Sequence, residues 1–164
     1  MALLRFASLL VLALWVGGLA TLGSLAAPEI FSVLERHDPE RGRVLAGEVF
    51  GAVFQRFQRA AWVLGALLLA LYGLRALLGP RPRRLGLRVW MATGLLAMSL
   101  VGGLLIAPRI DAIRRATNGP VASLPEGDAT RSEFGRLHAL SNGLMLLTLL
   151  AGAGLMWTEL QDPH

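Results

Sequence analysis

His138, Ser141 and Asn142 are the residues in this chain whose types and spacing come nearest to chemistry. Residues three and four apart share one face of a helix, so the imidazole, the hydroxyl and the amide would stand together. Such a trio can form a hydrogen-bond cluster between helices. It could also supply an axial ligand to a cofactor or a step in a proton relay. Only three histidines are present, at 37, 138 and 164, and there is no cysteine. Bis-histidine haem and three- or four-ligand zinc are therefore poorly supplied. No Walker loop, dinucleotide fingerprint, Gly-x-Ser-x-Gly elbow or HExxH occurs, and nothing places a nucleophile beside a base. The expectation is more non-enzyme than enzyme, with no catalytic residue, no metal, and His138 as the one candidate cofactor ligand.

A second set of residues recurs. The step Ala27-Pro28 returns as Ala107-Pro108, and the element Phe54-x-Arg56 returns as Phe134-x-Arg136 at the same offset. Gly47 and Gly127 keep that offset too. Pro28 and Pro108 would kink or stop a helix, or open its backbone to bind something. Arg56 and Arg136 would anchor in lipid headgroups or pair with an acid such as Glu29, Asp111 or Glu133.

The elements that carry these residues are set by where charge is missing. Leu9–Ala27, Ala60–Leu74, Val89–Ala107 and Leu137–Trp157 contain no Asp, Glu, Lys or Arg, in a chain that is 54% hydrophobic and 16% charged. A helix of about 20 apolar residues crosses a hydrocarbon layer about 30 Å thick. A soluble bundle would need a polar stripe on every helix, which Leu64–Leu71 does not offer. The spacing predicts an all-α integral membrane protein: a four-transmembrane-helix bundle built from two parallel two-helix repeats with amphipathic helical excursions. Repeat 1 covers about 1–79, repeat 2 about 83–158, and the linker 79–85 contains two prolines. The whole of 1–164 is one membrane domain. The first stretch has some features of a signal peptide, but Pro28 directly follows the best cleavage point, so it is expected to stay as a membrane helix. Asp38 followed by Pro39 reads as the start of a helix.

All sixteen basic residues are arginine. Five of them, with no acid among them, fall between Arg75 and Arg88. Short basic loops stay cytoplasmic, which puts both termini inside, although the two outer sections hold nine arginines of their own. Because the arginines flank apolar spans, lipid headgroups are the expected partner and nucleic acid is not. No intramembrane carboxylate is expected that could couple ions.

Leu14-Trp15-Val16-Gly17-Gly18, then Ala27-Pro28-x-x-Phe31, then Arg131-x-x-Phe134-x-x-x-His138-x-x-Ser141-x-x-x-Met145 together resemble the bacterial relatives of transmembrane protein 205, small four-span proteins of unknown function. The resemblance implies a multi-pass protein of the bacterial inner membrane and brings no activity with it. The Trp-x-Gly-Gly element is also similar to the first span of copper-resistance-type membrane proteins. Met91, Met98, Met145 and Met156 have no matching histidines, so copper is not carried over. The resulting expectation is a small structural or accessory membrane protein that packs against partner subunits. The alternatives are a small-solute transporter or channel, or a cofactor-binding subunit using His138.

Overall fold

The computed structural model describes residues 2–78, 84–117 and 119–161. Four helices long and apolar enough to cross a membrane dominate it: α1 (Ala2–His37), α2 (Gly42–Leu78), α3 (Leu85–Ala116) and α4 (Ala129–Leu160). Each charge-free stretch of sequence lies inside one of them. Apart from a turn at 38–41 and a loop at 117–128, the polar sections prolong the spanning helices: α2, with 37 residues, is about 55 Å long, well beyond the thickness of a hydrocarbon layer.

Neither Pro28 nor Pro108 ends its helix. Proline has no N–H, and its ring crowds the carbonyl four residues back. Both helices meet this with one wide turn just before the proline, at Leu22–Ala26 in α1 and Gly102–Ile106 in α3. There the Ala27 N–H donates to Leu22 O and the Ala107 N–H to Gly102 O, each five residues back. Such π-turns let a helix absorb a local misfit and continue. The two π-turns keep the offset of the two prolines. The shared offset fails elsewhere: Gly47 is helical, whereas Gly127 turns a loop at φ 97°.

The helix ends follow local chemistry. Asp38 leaves the helical region at φ −142°, and its Oδ1 accepts the N–H groups of Glu40 and Arg41 at 3.1 and 2.9 Å, so the expected cap before α2 is present. Asp128 caps α4, accepting the N–H groups of Thr130 and Arg131 at 2.7 and 3.1 Å. Between α3 and α4 a short 3-10 turn covers Val121–Ser123. The 79–85 linker falls largely outside the described residues, as does His164.

Each helix packs against its chain neighbours, and α4 closes the ring against α1. The shared core holds Leu12 and Trp15 of α1, Leu68 and Tyr72 of α2, Leu95 of α3 and Leu155 of α4. Glycine permits the closest approaches. A Cβ on Gly65 would stand 2.9 Å from Trp15, and one on Gly152 would stand 2.4 Å from Val16 Cγ2. The outside of the bundle is as apolar as its core. Leu3 of α1, Val63 of α2, Leu105 of α3 and Leu150 of α4 are all more than 60% exposed. In water that surface would cost about 25 cal/mol per Å². In lipid this penalty is absent, and helices satisfy their own backbone there. The chain is an all-α, four-helix, multi-pass membrane protein.

Candidate functional site

The prolongations beyond the π-turns meet at the end of the bundle opposite the termini. There they enclose a cavity of about 460 Å³. Phe31 comes from α1, Arg43 to Gln55 from the first turns of α2, Asp111 to Arg115 from the last turns of α3, Phe134 and His138 from α4, and Gly119 to Ala122 from the loop. Its lining mixes apolar residues, Phe31, Val44, Val121 and Phe134, with charged ones.

Arg114 organises the charged residues. Its Nη1 donates to the carbonyl of Gly47 at 3.0 Å, stands 3.9 Å from Asp111 Oδ1, and its guanidinium lies over the Phe134 ring, 5.6 Å from the centroid. Gly47 and Gly51 leave room for it: a Cβ on Gly47 would come 3.3 Å from Arg114 Cζ. Asp111 also accepts a hydrogen bond from the Gln55 side-chain amide. The Asp111 carboxylate is thus already engaged from two sides. Arg115 and Glu48, both exposed on the cavity wall, have no ion-pair partner among the described residues. Arg43 reaches Glu35 only at 3.8 Å, with both side chains exposed.

The sequence trio does not assemble as a cluster. Among the described residues no hydrogen bond joins His138, Ser141 and Asn142. His138 is exposed, lines the cavity and stacks on Phe134 with ring centroids 5.9 Å apart. Ser141 turns toward a smaller internal space beside Gln58, Ser99 and Thr148. Asn142 is exposed. A shared face fixes which residues are neighbours on one helix, but the packing of α4 against α1 and α3 decides which of them turn inward. Arg56 and Arg136 are exposed and have no acidic partner among the described residues. Two of the acids considered for them are used by others: Glu133 pairs with Arg109 at 3.2 Å, and Asp111 with Arg114. Phe54 stacks on Phe50 at 5.8 Å rather than matching the role of Phe134.

Two polar groups lie outside what the sequence reading singles out. In mid-bundle Gln58 and Ser99 are buried together: Ser99 Oγ donates to Gln58 Oε1 at 3.0 Å, and Gln58 Nε2 donates to Ser99 O at 3.3 Å. They sit against Gly102, the first residue of the α3 π-turn. At the end that carries the termini, Glu159 of α4 is fully buried between Arg75 of α2 and Arg88 of α3. Its Oε2 accepts from Arg75 Nη1 at 2.8 Å, and its Oε1 lies 3.2 Å from Arg88 Nη1. Arg88 also donates to Thr158 O, and Arg5 donates to Leu160 O at 3.0 Å. One carboxylate thus ties three helices, and Arg5 adds the fourth. The bundle does hold a buried carboxylate, two residues past the charge-free stretch where none is expected. A signal for it exists in the sequence: Arg75, Arg88 and Glu159 all lie within a turn or so of a span end, on the same side of the bundle.

A family model described as a domain of unknown function (DUF4149) matches residues 10–118. No match is found among curated proteins or among solved structures. The matched stretch takes in both π-turns and the cavity walls contributed by α1, α2 and α3, and stops before Phe134 and His138. With about two thirds of its length inside that match, the chain belongs to the DUF4149 family.

Proposed function

We propose that this protein is a small accessory membrane protein that works by packing against partner subunits in a membrane assembly, rather than by making or breaking bonds. The observation that supports this most is the division of its glycines. Gly18, Gly65, Gly103 and Gly152 serve contacts inside the bundle, whereas a Cβ on Gly17 of α1, Gly94 of α3 or Gly143 of α4 would meet nothing within 4 Å. Outward small residues let the backbone of another helix approach closely in lipid. The family that matches is DUF4149 rather than the relatives of transmembrane protein 205 that the sequence resembles, and it brings no activity either. On this reading the protein sits in a bacterial inner membrane with both termini cytoplasmic, where the basic 75–88 region would stay inside.

A photo-crosslinker placed at Leu14, beside Gly17, is expected to yield a discrete protein adduct in native membranes. The same partner should co-purify in mild detergent. A chain that crosslinks only to lipid and runs alone at every detergent concentration overturns the proposal. For sidedness, the absence of cysteine makes Ser123→Cys a clean reporter. An impermeant maleimide should reach it from outside, and labelling only after lysis would reverse the topology.

The cavity favours a second reading, a small-solute transporter or channel, because it opens a space lined by His138 and charged side chains at one end of the bundle. Reconstituted flux that is lost in His138→Ala would support it. The same residue is the one candidate ligand for a cofactor, and a colourless, metal-free preparation would remove that role.

A further inference from the structure

The cavity at the loop end has a charge pattern that selects a ligand. Three guanidinium groups line it, from Arg43, Arg114 and Arg115, against two carboxylates, Glu48 and Asp111. Asp111 is occupied by Gln55 and Arg114. Arg114 uses one N–H on Gly47 O and lines the cavity with the rest of its guanidinium, and Arg115 has no ion-pair partner among the described residues. Planar guanidinium donors match phosphate oxygens in geometry as well as charge.

Depth adds the second constraint. Gln55 lies five residues before the charge-free stretch that begins at Ala60, about 8 Å along the helix. His138 lies at the very start of the last charge-free stretch. The inner end of the cavity therefore sits where hydrocarbon gives way to headgroups, and Arg43, Arg114 and Arg115 lie further out, at headgroup level and beyond, whichever side of the membrane faces out. Phe31 and Phe134, each within four residues of a charge-free stretch, would take the part of a ligand that continues toward the acyl region.

We propose that this cavity is a binding site for the phosphate head of a membrane lipid, with Arg114 and Arg115 as the groups that hold the phosphate and Phe134 as the apolar floor beside it. The proposal is independent of the accessory role: a lipid can be held here whether or not a partner subunit docks elsewhere.

The test is native mass spectrometry of the purified full chain in an uncharged detergent, titrated with phosphatidylglycerol or with a diacylglycerol of the same acyl chains. One phosphatidylglycerol per chain should be retained and diacylglycerol should not. Arg115→Gln, an exposed position with no fold contact to lose, should weaken retention about tenfold, the size of one charge-assisted contact. Arg114→Gln should weaken it at least as much, with circular dichroism confirming that its helix content is intact. Arg136→Gln, exposed and away from the cavity, should leave retention unchanged. Competition by glycerol 3-phosphate would mean that the site also reads the free phosphate ester, and failure to compete would mean that it requires the lipid; both keep the phosphate chemistry. Equal retention of diacylglycerol, equal weakening by Arg136→Gln, or no loss in Arg115→Gln would overturn the proposal.

Discussion

At the end of the bundle that carries the termini, Arg75 and Arg88 enclose the fully buried Glu159 and draw three helices onto one carboxylate. At the other end, Arg43, Glu48, Asp111, Arg114 and Arg115 stand around an open space of about 460 Å³. Both ends lie at a membrane interface and both concentrate arginine, yet they use it in opposite ways. Buried charge must be matched nearly atom for atom, because desolvation is offset only by excellent geometry. Half-exposed charge around a cavity stays solvated and can exchange one partner for another. The first arrangement fixes helices relative to one another; the second leaves room for a guest.

The sharpest way to break this contrast is to remove the carboxylate at each end. Glu159→Ala leaves two arginines buried without their shared anion and is expected to destabilise the bundle by about 3–5 kcal/mol. Asp111→Asn keeps a hydrogen-bond acceptor for Gln55 in a partly exposed site, where ion pairs are worth about 1 kcal/mol or less. Thermal unfolding in detergent, followed by circular dichroism, compares them directly. Equal and small losses would mean that Glu159 is not the tie between the helices.

Packing offers a second, smaller comparison. A methyl on Gly152 would fall 2.4 Å from Val16 Cγ2. Valine is stiff at χ1, so Gly152→Ala must push α1 and α4 apart, at about 1–3 kcal/mol. At the cavity end a methyl on Gly51 would meet Arg114 Nη1 at 3.5 Å and Asp111 Oδ1 at 3.7 Å, which is ordinary contact. Gly51→Ala should therefore be neutral, or stabilise α2 by up to about 1 kcal/mol through helix propensity. A destabilising Gly51→Ala would show that the cavity wall is as tightly built as the core.

Four spans can be read from the sequence because a long run without charge is a one-dimensional signal that lipid makes nearly decisive. The paired Ala-Pro steps are equally visible, but their outcome is not. A proline announces a missing N–H, while the π-turn that absorbs it depends on how the preceding turn packs. Gly102 lies against Gln58 and Gly103 against Trp62, neighbours supplied by a different helix. Helical periodicity makes His138, Ser141 and Asn142 neighbours on one helix but gives no orientation for that face, and in the bundle His138 and Asn142 stand exposed while Ser141 turns inward. Glu159 is hard to see because it falls just past a charge-free run. Its burial depends on Arg75 and Arg88, and three separate helices must bring the trio to one depth. The cavity is illegible for the same reason: its wall is drawn from all four helices and a loop.

The smallest expected effect separates the ends by pH. Asp128 sits in the loop before α4, and its carboxylate accepts the N–H of Arg131 and then that of Thr130, which holds its pKa below the usual carboxylate range. A group whose folded-state pKa is depressed stabilises the fold above its unfolded value and loses that contribution as pH falls through the folded one. The first turn of α4, which presents Phe134 to the cavity one turn further on, should thus keep its order down through the ordinary carboxylate range and fray only below it. Amide exchange at Thr130 and Arg131 reads this directly. In Asp128→Asn, whose side chain can still accept but carries no charge, the acid-induced rise in exchange should vanish while the cap largely persists. Asp128→Ala should exchange fast at every pH. If the wild-type amides exchanged equally fast on both sides of the carboxylate range, the cap would not be what orders this turn. The cavity end would then take its shape from Arg114 and Phe134 alone.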